Sequence, residues 1–158
     1  MDTVIEITAI TTPDDDVLEM VERLDASMKD MYPPESTHLI PPEELSAGAN
    51  RFFAVKVDGK LMGCGGIRVV GQDYAEIKRI YVDPSSRGLG LAKALLNRLE
   101  SESRLLGLRE MKLETGTSQP EAIRLFERCG YAQCPAFGDY PKNDPYSYFM
   151  QKTLGENA

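Results

Sequence analysis

The sequence predicts an α/β fold of the α+β kind: a mixed central sheet of six to seven strands with helices on both faces. Three observations predict it. Extended apolar or alternating runs recur along the chain, three of them follow one another across short polar turns, and amphipathic helical runs separate the rest, in the order β-α-β-β-β-α-β-α-β-β. The 158 residues suffice for a single domain, 1–158, that buries a core without disulfide or metal staples.

Residues 4–10 read as a strand. Thr12, Pro13 and the acidic Asp14, Asp15 and Asp16 then start a helix, because proline has no N–H to lose in a first turn and carboxylates suit the positive end of the helix dipole. Val17, Val21, Leu24 and Met28 follow at helical spacing. Pro33-Pro34 and Pro41-Pro42 make 32–50 an irregular loop with a short helix at Glu43, Glu44 and Leu45, and loops of this length in compact domains carry function.

Arg51–Val57 and Lys60–Val70 flank Asp58-Gly59 as a hairpin, with Gly63, Gly65 and Gly66 marking a bulge or a close backbone approach. Gly71-Gln72-Asp73 turns the chain into the strand Tyr74–Val82. The helix at 89–106 carries Leu91, Leu95 and Leu99 in one stripe beside Ala92 and Leu96, and Gly107 stops it. Residues 109–115 alternate Met111, Leu113 and Thr115 against charged Glu110, Lys112 and Glu114, a half-buried strand. Gln119-Pro120 opens a last helix with Ala122, Leu125, Phe126 and Cys129, closed by Gly130, and strands at 131–134 and 147–154 flank a turn-rich stretch.

A formal net charge of −7 disfavours nucleic acid as a partner, since phosphate backbones are held by basic surfaces. Lys78, Arg79, Arg87, Lys93, Arg124 and Arg128 supply local cations for an anionic ligand, against an acidic background that suits a cationic acceptor such as an amine. Cys64, Cys129 and Cys134 form no CxxC pair and are odd in number, so all three are expected as reduced thiols. Without a basic leader or an apolar run of membrane length, the expectation is a cytoplasmic protein with no membrane partner.

The most informative residues are Arg87-Gly88-Leu89-Gly90-Leu91-Ala92, between a strand ending at Val82 and the following helix. A glycine turn opening a helix leaves several N–H groups unpaired in front of the positive dipole end, a cradle for a pyrophosphate. Gly88 and Gly90 have no Cβ to hold a ligand off, and Arg87 adds bidentate donors. A Walker A loop needs Lys then Ser or Thr, which Ala92-Lys93-Ala94 lacks, and a Rossmann turn belongs after the first strand of its unit.

That cradle after the fourth strand, joined to Ile80-Tyr81-Val82-Asp83-Pro84 before it and to Ala122-Ile123-Arg124-Leu125-Phe126-Glu127-Arg128-Cys129-Gly130-Tyr131 later, resembles the GNAT superfamily of acyl-CoA-dependent N-acyltransferases over nearly the whole chain. Leu113-Glu114-Thr115-Gly116, Phe137-Gly138-Asp139-Tyr140 and Pro34-Glu35-Ser36 with His38 resemble a branch of small bacterial acetyltransferases. The resemblance implies that the backbone from Arg87 to Ala92 holds the pyrophosphate of acetyl-CoA while Ile80, Tyr81 and Val82 pair with the pantetheine, and that this strand and the one at 109–115 splay apart around the thioester. It implies acetyl transfer to a primary amine of a small molecule by direct attack in a ternary complex, no metal, and a homodimer through the final strands. Protein α-amines and a non-catalytic acyl-CoA-binding module are the alternatives.

Glu76 stands where many family members place a catalytic base, and it is equally an exposed strand carboxylate paired with Lys78. Phe126 replaces the tyrosine that often protonates the departing thiolate, leaving the ring to pack on the cofactor and Tyr140, Tyr146 or Tyr148 as substitute donors, each of which also suits a packing role. Gln119 occupies the place of an asparagine that touches the cofactor. His38 cannot alone build a zinc site; it packs the loop or meets substrate together with Ser36 and Arg51.

Overall fold

The computed structural model describes residues 2–34, 39–86 and 88–155. Its strands are β1 (Ile5–Ala9), β2 (Arg51–Val57), β3 (Lys60–Val70), β4 (Tyr74–Val82), β5 (Glu110–Gly116), β6 (Ala132–Gln133) and β7 (Ser147–Thr153). The helices are α1 (Asp15–Met31), the single turn α2 (Pro42–Leu45), α3 (Leu91–Leu105) and α4 (Pro120–Arg128). The expected order and the mixed sheet are thus observed, with α2 as the short helix of the proline-rich segment.

The strands form one sheet in the order β1-β2-β3-β4-β5-β7-β6, in which β4 and β5 alone run parallel. Leu91, Leu95, Leu96 and Leu99 of α3 and Phe126 of α4 pack on one face with Phe53, Val55, Ile67, Ile77, Met111, Leu113 and Met150. Val17, Met20 and Val21 of α1 and Leu45 of α2 cover the other with Phe52 and Cys64. Helices therefore sit on both faces; the α3 stripe read from the sequence is buried, whereas in α1 Val17 and Val21 are buried with Met20 while Leu24 and Met28 are half-buried.

Asp14 caps α1, its side chain accepting from Val17 N at 2.9 Å, so the acidic run does both the capping and the dipole work. Helix α3 begins two residues later than the periodicity suggests because Gly90, its N-cap, is left-handed at φ 72°. Close approach governs β3: a Cβ on Gly66 would run into the Arg51 carbonyl and Leu45, and the β3–β4 register shifts between Cys64 and Gly66. Opposite that shift, Arg79 bulges from β4 at φ 55°. Among the described residues no helix is long and apolar enough to cross a membrane.

Candidate active site

Parallel pairing between β4 and β5 runs only from Ala75–Met111 to Ile77–Leu113. Past that point β4 continues to Val82 beside β3 and β5 continues to Gly116 beside β7, so the two strands part and open a cleft through the middle of the sheet. A cavity of about 930 Å³ occupies it. Its lining runs from Gly88, Gly90, Leu91 and Ala92 at the start of α3, along Ile80, Tyr81 and Val82, past Gln119 and Phe126 of the α4 segment, to Lys78, Glu114, Leu24, Met28 and Met31.

The described cofactor residues expected from sequence therefore come together around one cavity, apart from Leu89, which is exposed and not part of the lining. Arg87, Ser36 and His38 lie outside the described residues. The first backbone bond inside α3 is Ala94 N to Gly90 O, which leaves the preceding N–H groups facing out of the helix end. A Cβ at Gly88 (φ 90°) or Gly90 would meet no protein atom within 4 Å. The turn is thus open where an anionic ligand would approach, and it fits a pyrophosphate.

Phe126 is 3% exposed and packs edge-on to Tyr131 with ring centroids 5.8 Å apart, so it is a core residue whose ring also borders the cavity. Gln119 Nε2 reaches Met28 Sδ at 3.4 Å, and the Tyr32 hydroxyl accepts from Ser118 N at 3.2 Å. These contacts tie the start of α4 to the end of α1. A Cβ on Gly116 would collide with that same hydroxyl, which makes Gly116 and Tyr32 a matched pair.

Glu76 and Tyr140 are brought into direct contact. Glu76 is fully buried, with Arg68 Nη1 3.1 Å from Oε1, Lys78 Nζ 3.1 Å from Oε2, and the Tyr140 hydroxyl donating to Oε2. The exposed-carboxylate reading of Glu76 is corrected: the pairing with Lys78 holds, but the segment between β6 and β7 folds over this face, stacking Phe137 against Tyr140, Tyr74 and Phe149. Burial beside the Glu76 carboxylate pushes the Tyr140 phenol well above its ordinary range. The hydroxyl is a committed hydrogen-bond donor to Glu76, and neither residue belongs to the cavity lining.

The same covering segment explains what the sequence reading missed. Glu114, read as a solvated strand position, lines the cavity one residue past the last β4–β5 pair and accepts from Ser147 Oγ at 2.8 Å. Burial raises its carboxyl to about 7. Arg79 is anchored by Asp25 of α1 and donates from Nε to the Ile40 carbonyl at 2.7 Å, so the β4 bulge is held by α1 and the segment before α2. The placement of Lys78 and Glu114 on the two strands expected to splay apart is a sequence signal that points to them.

Burial pushes the Cys64 thiol up to about 12, against the opposing pull of Arg79. A covalent acyl-cysteine route through it has no thiolate to start from. Cys64→Ala is expected to leave amine-dependent thiol release from acetyl-CoA unchanged within about twofold, measured with a chromogenic disulfide.

The model of the acetyltransferase (GNAT) family matches residues 17–131. The chain belongs to the GNAT acetyltransferase family. An IAA acetyltransferase of Azospirillum brasilense is 39% identical over 141 residues, covering 89% of this chain and 92% of that one. The uncharacterized N-acetyltransferase YsnE of Bacillus subtilis is 34% identical over 87% of this chain and 92% of its own length. A candidate acyl-CoA N-acyltransferase of Klebsiella pneumoniae superposes with a TM-score of 0.79 at 33% identity, covering 96% and 98% of the two chains. The fold also matches a spermidine N-acetyltransferase of Vibrio cholerae crystallised with CoA and spermine, TM-score 0.67 at 21% identity over 95% of each chain. This GNAT protein is an acyl-CoA-dependent acyltransferase.

Proposed function

We propose that the protein moves an acetyl group from acetyl-CoA to the primary amine of a small molecule, the nitrogen attacking the thioester directly in a ternary complex. One observation carries the reading. A single cavity joins the glycine turn at the start of α3 to the cleft between β4 and β5 and continues to a wall made by α1, Lys78 and Glu114. The diphosphate is held by the N–H groups from Gly88 to Ala92, the pantetheine lies along Ile80, Tyr81 and Val82, and the thioester reaches the cleft beside Phe126.

Met28, Met31 and Leu24 supply an apolar wall on the acceptor side, while Glu114 gives a cationic amine a carboxylate to approach. A wall of this kind suits a compact acceptor that enters the cavity entirely. Peptide α-amines are the competing class, because a free N-terminus needs only its first residue to enter.

The test is twofold. Calorimetry with acetyl-CoA is expected to give 1:1 binding, and a panel of polyamines, arylalkylamines, amino acids and short unblocked peptides is expected to give thiol release with a small amine at least tenfold faster than with any peptide. No heat with acetyl-CoA on folded protein overturns the cradle. Faster release with peptides overturns the acceptor class.

A further inference from the structure

Resting on acetyl transfer to an amine, we infer that Glu114 is the residue that takes the proton from the incoming ammonium group. The position carries it. Glu114 lies on β5 immediately beyond Leu113, whose pairing with Ile77 is the last before the strands part, and it faces the cavity together with Lys78 of β4. It therefore stands at the mouth of the cleft where the thioester carbon must meet the nitrogen.

Glu76, the carboxylate on the neighbouring strand, is differently placed. Its two oxygens accept from Arg68, Lys78 and Tyr140, it is fully buried, and it does not line the cavity. Both of its oxygens are already engaged by these donors. Among the described residues Glu114 accepts from one side-chain donor, Ser147 Oγ at 2.8 Å, and keeps acceptor capacity toward the cavity.

The groups that face Glu114 set its basicity. Burial raises the carboxyl to about 7; Ser147 on β7 and Lys78 on β4 pull it down, while Glu76 on β4 and Asp144 ahead of β7 push it up. A base that titrates near the working pH combines a large ionised fraction with a real affinity for the proton. An ordinary carboxylate, titrating near 4.3, would be a far weaker acceptor for an ammonium of pKa about 10.4.

The step balances as follows. The ammonium passes one proton to a Glu114 oxygen, the freed nitrogen lone pair forms the C–N bond, and the tetrahedral carbon expels the thiolate as the C–S bond breaks. The thiolate takes the second N–H proton, leaving amide and coenzyme A thiol, and Glu114 returns its proton to solvent. No oxidant, metal or covalent enzyme intermediate enters the balance.

The experiment compares wild type with Glu114→Gln and Ser147→Ala, using acetyl-CoA and the best primary amine from the panel. For Glu114→Gln, kcat at pH 7 is expected to fall by about 10²- to 10⁴-fold while calorimetric affinity for acetyl-CoA stays unchanged. Wild-type kcat/KM should rise through an inflection near pH 7. In Glu114→Gln the inflection should vanish, and the residual rate should climb about tenfold per pH unit as the free amine accumulates. Ser147→Ala removes a donor that favours the carboxylate, so its inflection should move to higher pH. Wild-type kcat with an intact inflection in Glu114→Gln, or an unmoved inflection in Ser147→Ala, overturns the role while leaving acetyl transfer standing. Wild type that binds acetyl-CoA and releases thiol to none of the amines overturns both.

Discussion

Gly90→Val is expected to weaken acetyl-CoA binding by about 10²-fold or more while the protein stays folded. Gly90 is the left-handed N-cap of α3 and borders the cavity, and a Cβ built on it meets no protein atom within 4 Å. The new side chain therefore strains nothing by contact and projects into the space in front of the helix N-terminus, where the diphosphate has to sit. Charge-assisted hydrogen bonds contribute about 1.5–3 kcal/mol each, so losing two weakens binding by 10²-fold or more, on the order of 3–6 kcal/mol. A left-handed β-branched residue costs roughly 1–2 kcal/mol of stability, within what a domain of this size tolerates. Gly71→Val supplies the control, because Gly71 is also left-handed (φ 55°) with open space around its Cβ but lies in the β3–β4 turn, away from the cavity. Both variants should lose similar melting temperature, and only Gly90→Val should lose the calorimetric signal. Equal acetyl-CoA affinity in the two would remove the diphosphate from the α3 turn.

The proposed cofactor side of the site was legible because the turn that forms it is written in the backbone. Gly88 and Gly90 are needed where φ is positive and where a ligand approaches main-chain N–H groups, and both demands show as glycine at fixed spacing after a strand. The stripe of α3 and the alternation of β5 likewise state their buried face directly. The acceptor side was not legible, and the reason is the segment between β6 and β7. Alternation says which residues share a face of β5, but not whether that face meets water. Lys112 and Glu114 looked like solvated positions until Phe137 and Tyr140 were found folded over them, with Lys112 Nζ 5.6 Å from the ring centroids of both Tyr74 and Phe137. A turn-rich stretch of Pro, Gly, Asn and Asp carries no periodicity from which its destination could be read. The Tyr32–Gly116 match is of the same kind, joining residues far apart in sequence through one hydroxyl.

Glu76→Gln is expected to destabilise the protein by about 3 kcal/mol, lowering its melting temperature by roughly 10 °C for a domain of this length. The amide keeps the carboxylate's shape but removes the charge that Lys78 Nζ and Arg68 Nη1 meet at 3.1 Å each. Arg68 is 41% exposed along its side chain and can turn to water, whereas Lys78 is 13% exposed and is left with the Tyr140 hydroxyl. Most of the loss therefore belongs to a buried ammonium that has lost its salt-bridge partner. The double variant Glu76→Gln/Lys78→Met should recover more than half of it, because an apolar side chain has no charge to desolvate, and the cycle isolates the pair energy. The kinetic signature separates this architectural role from proton transfer. Glu76 pushes the Glu114 carboxyl upward, so Glu76→Gln should move the inflection in kcat/KM to lower pH and leave it intact. An inflection that disappears in Glu76→Gln and survives in Glu114→Gln would exchange the two roles, making the enclosed carboxylate the proton acceptor and the cavity carboxylate its support.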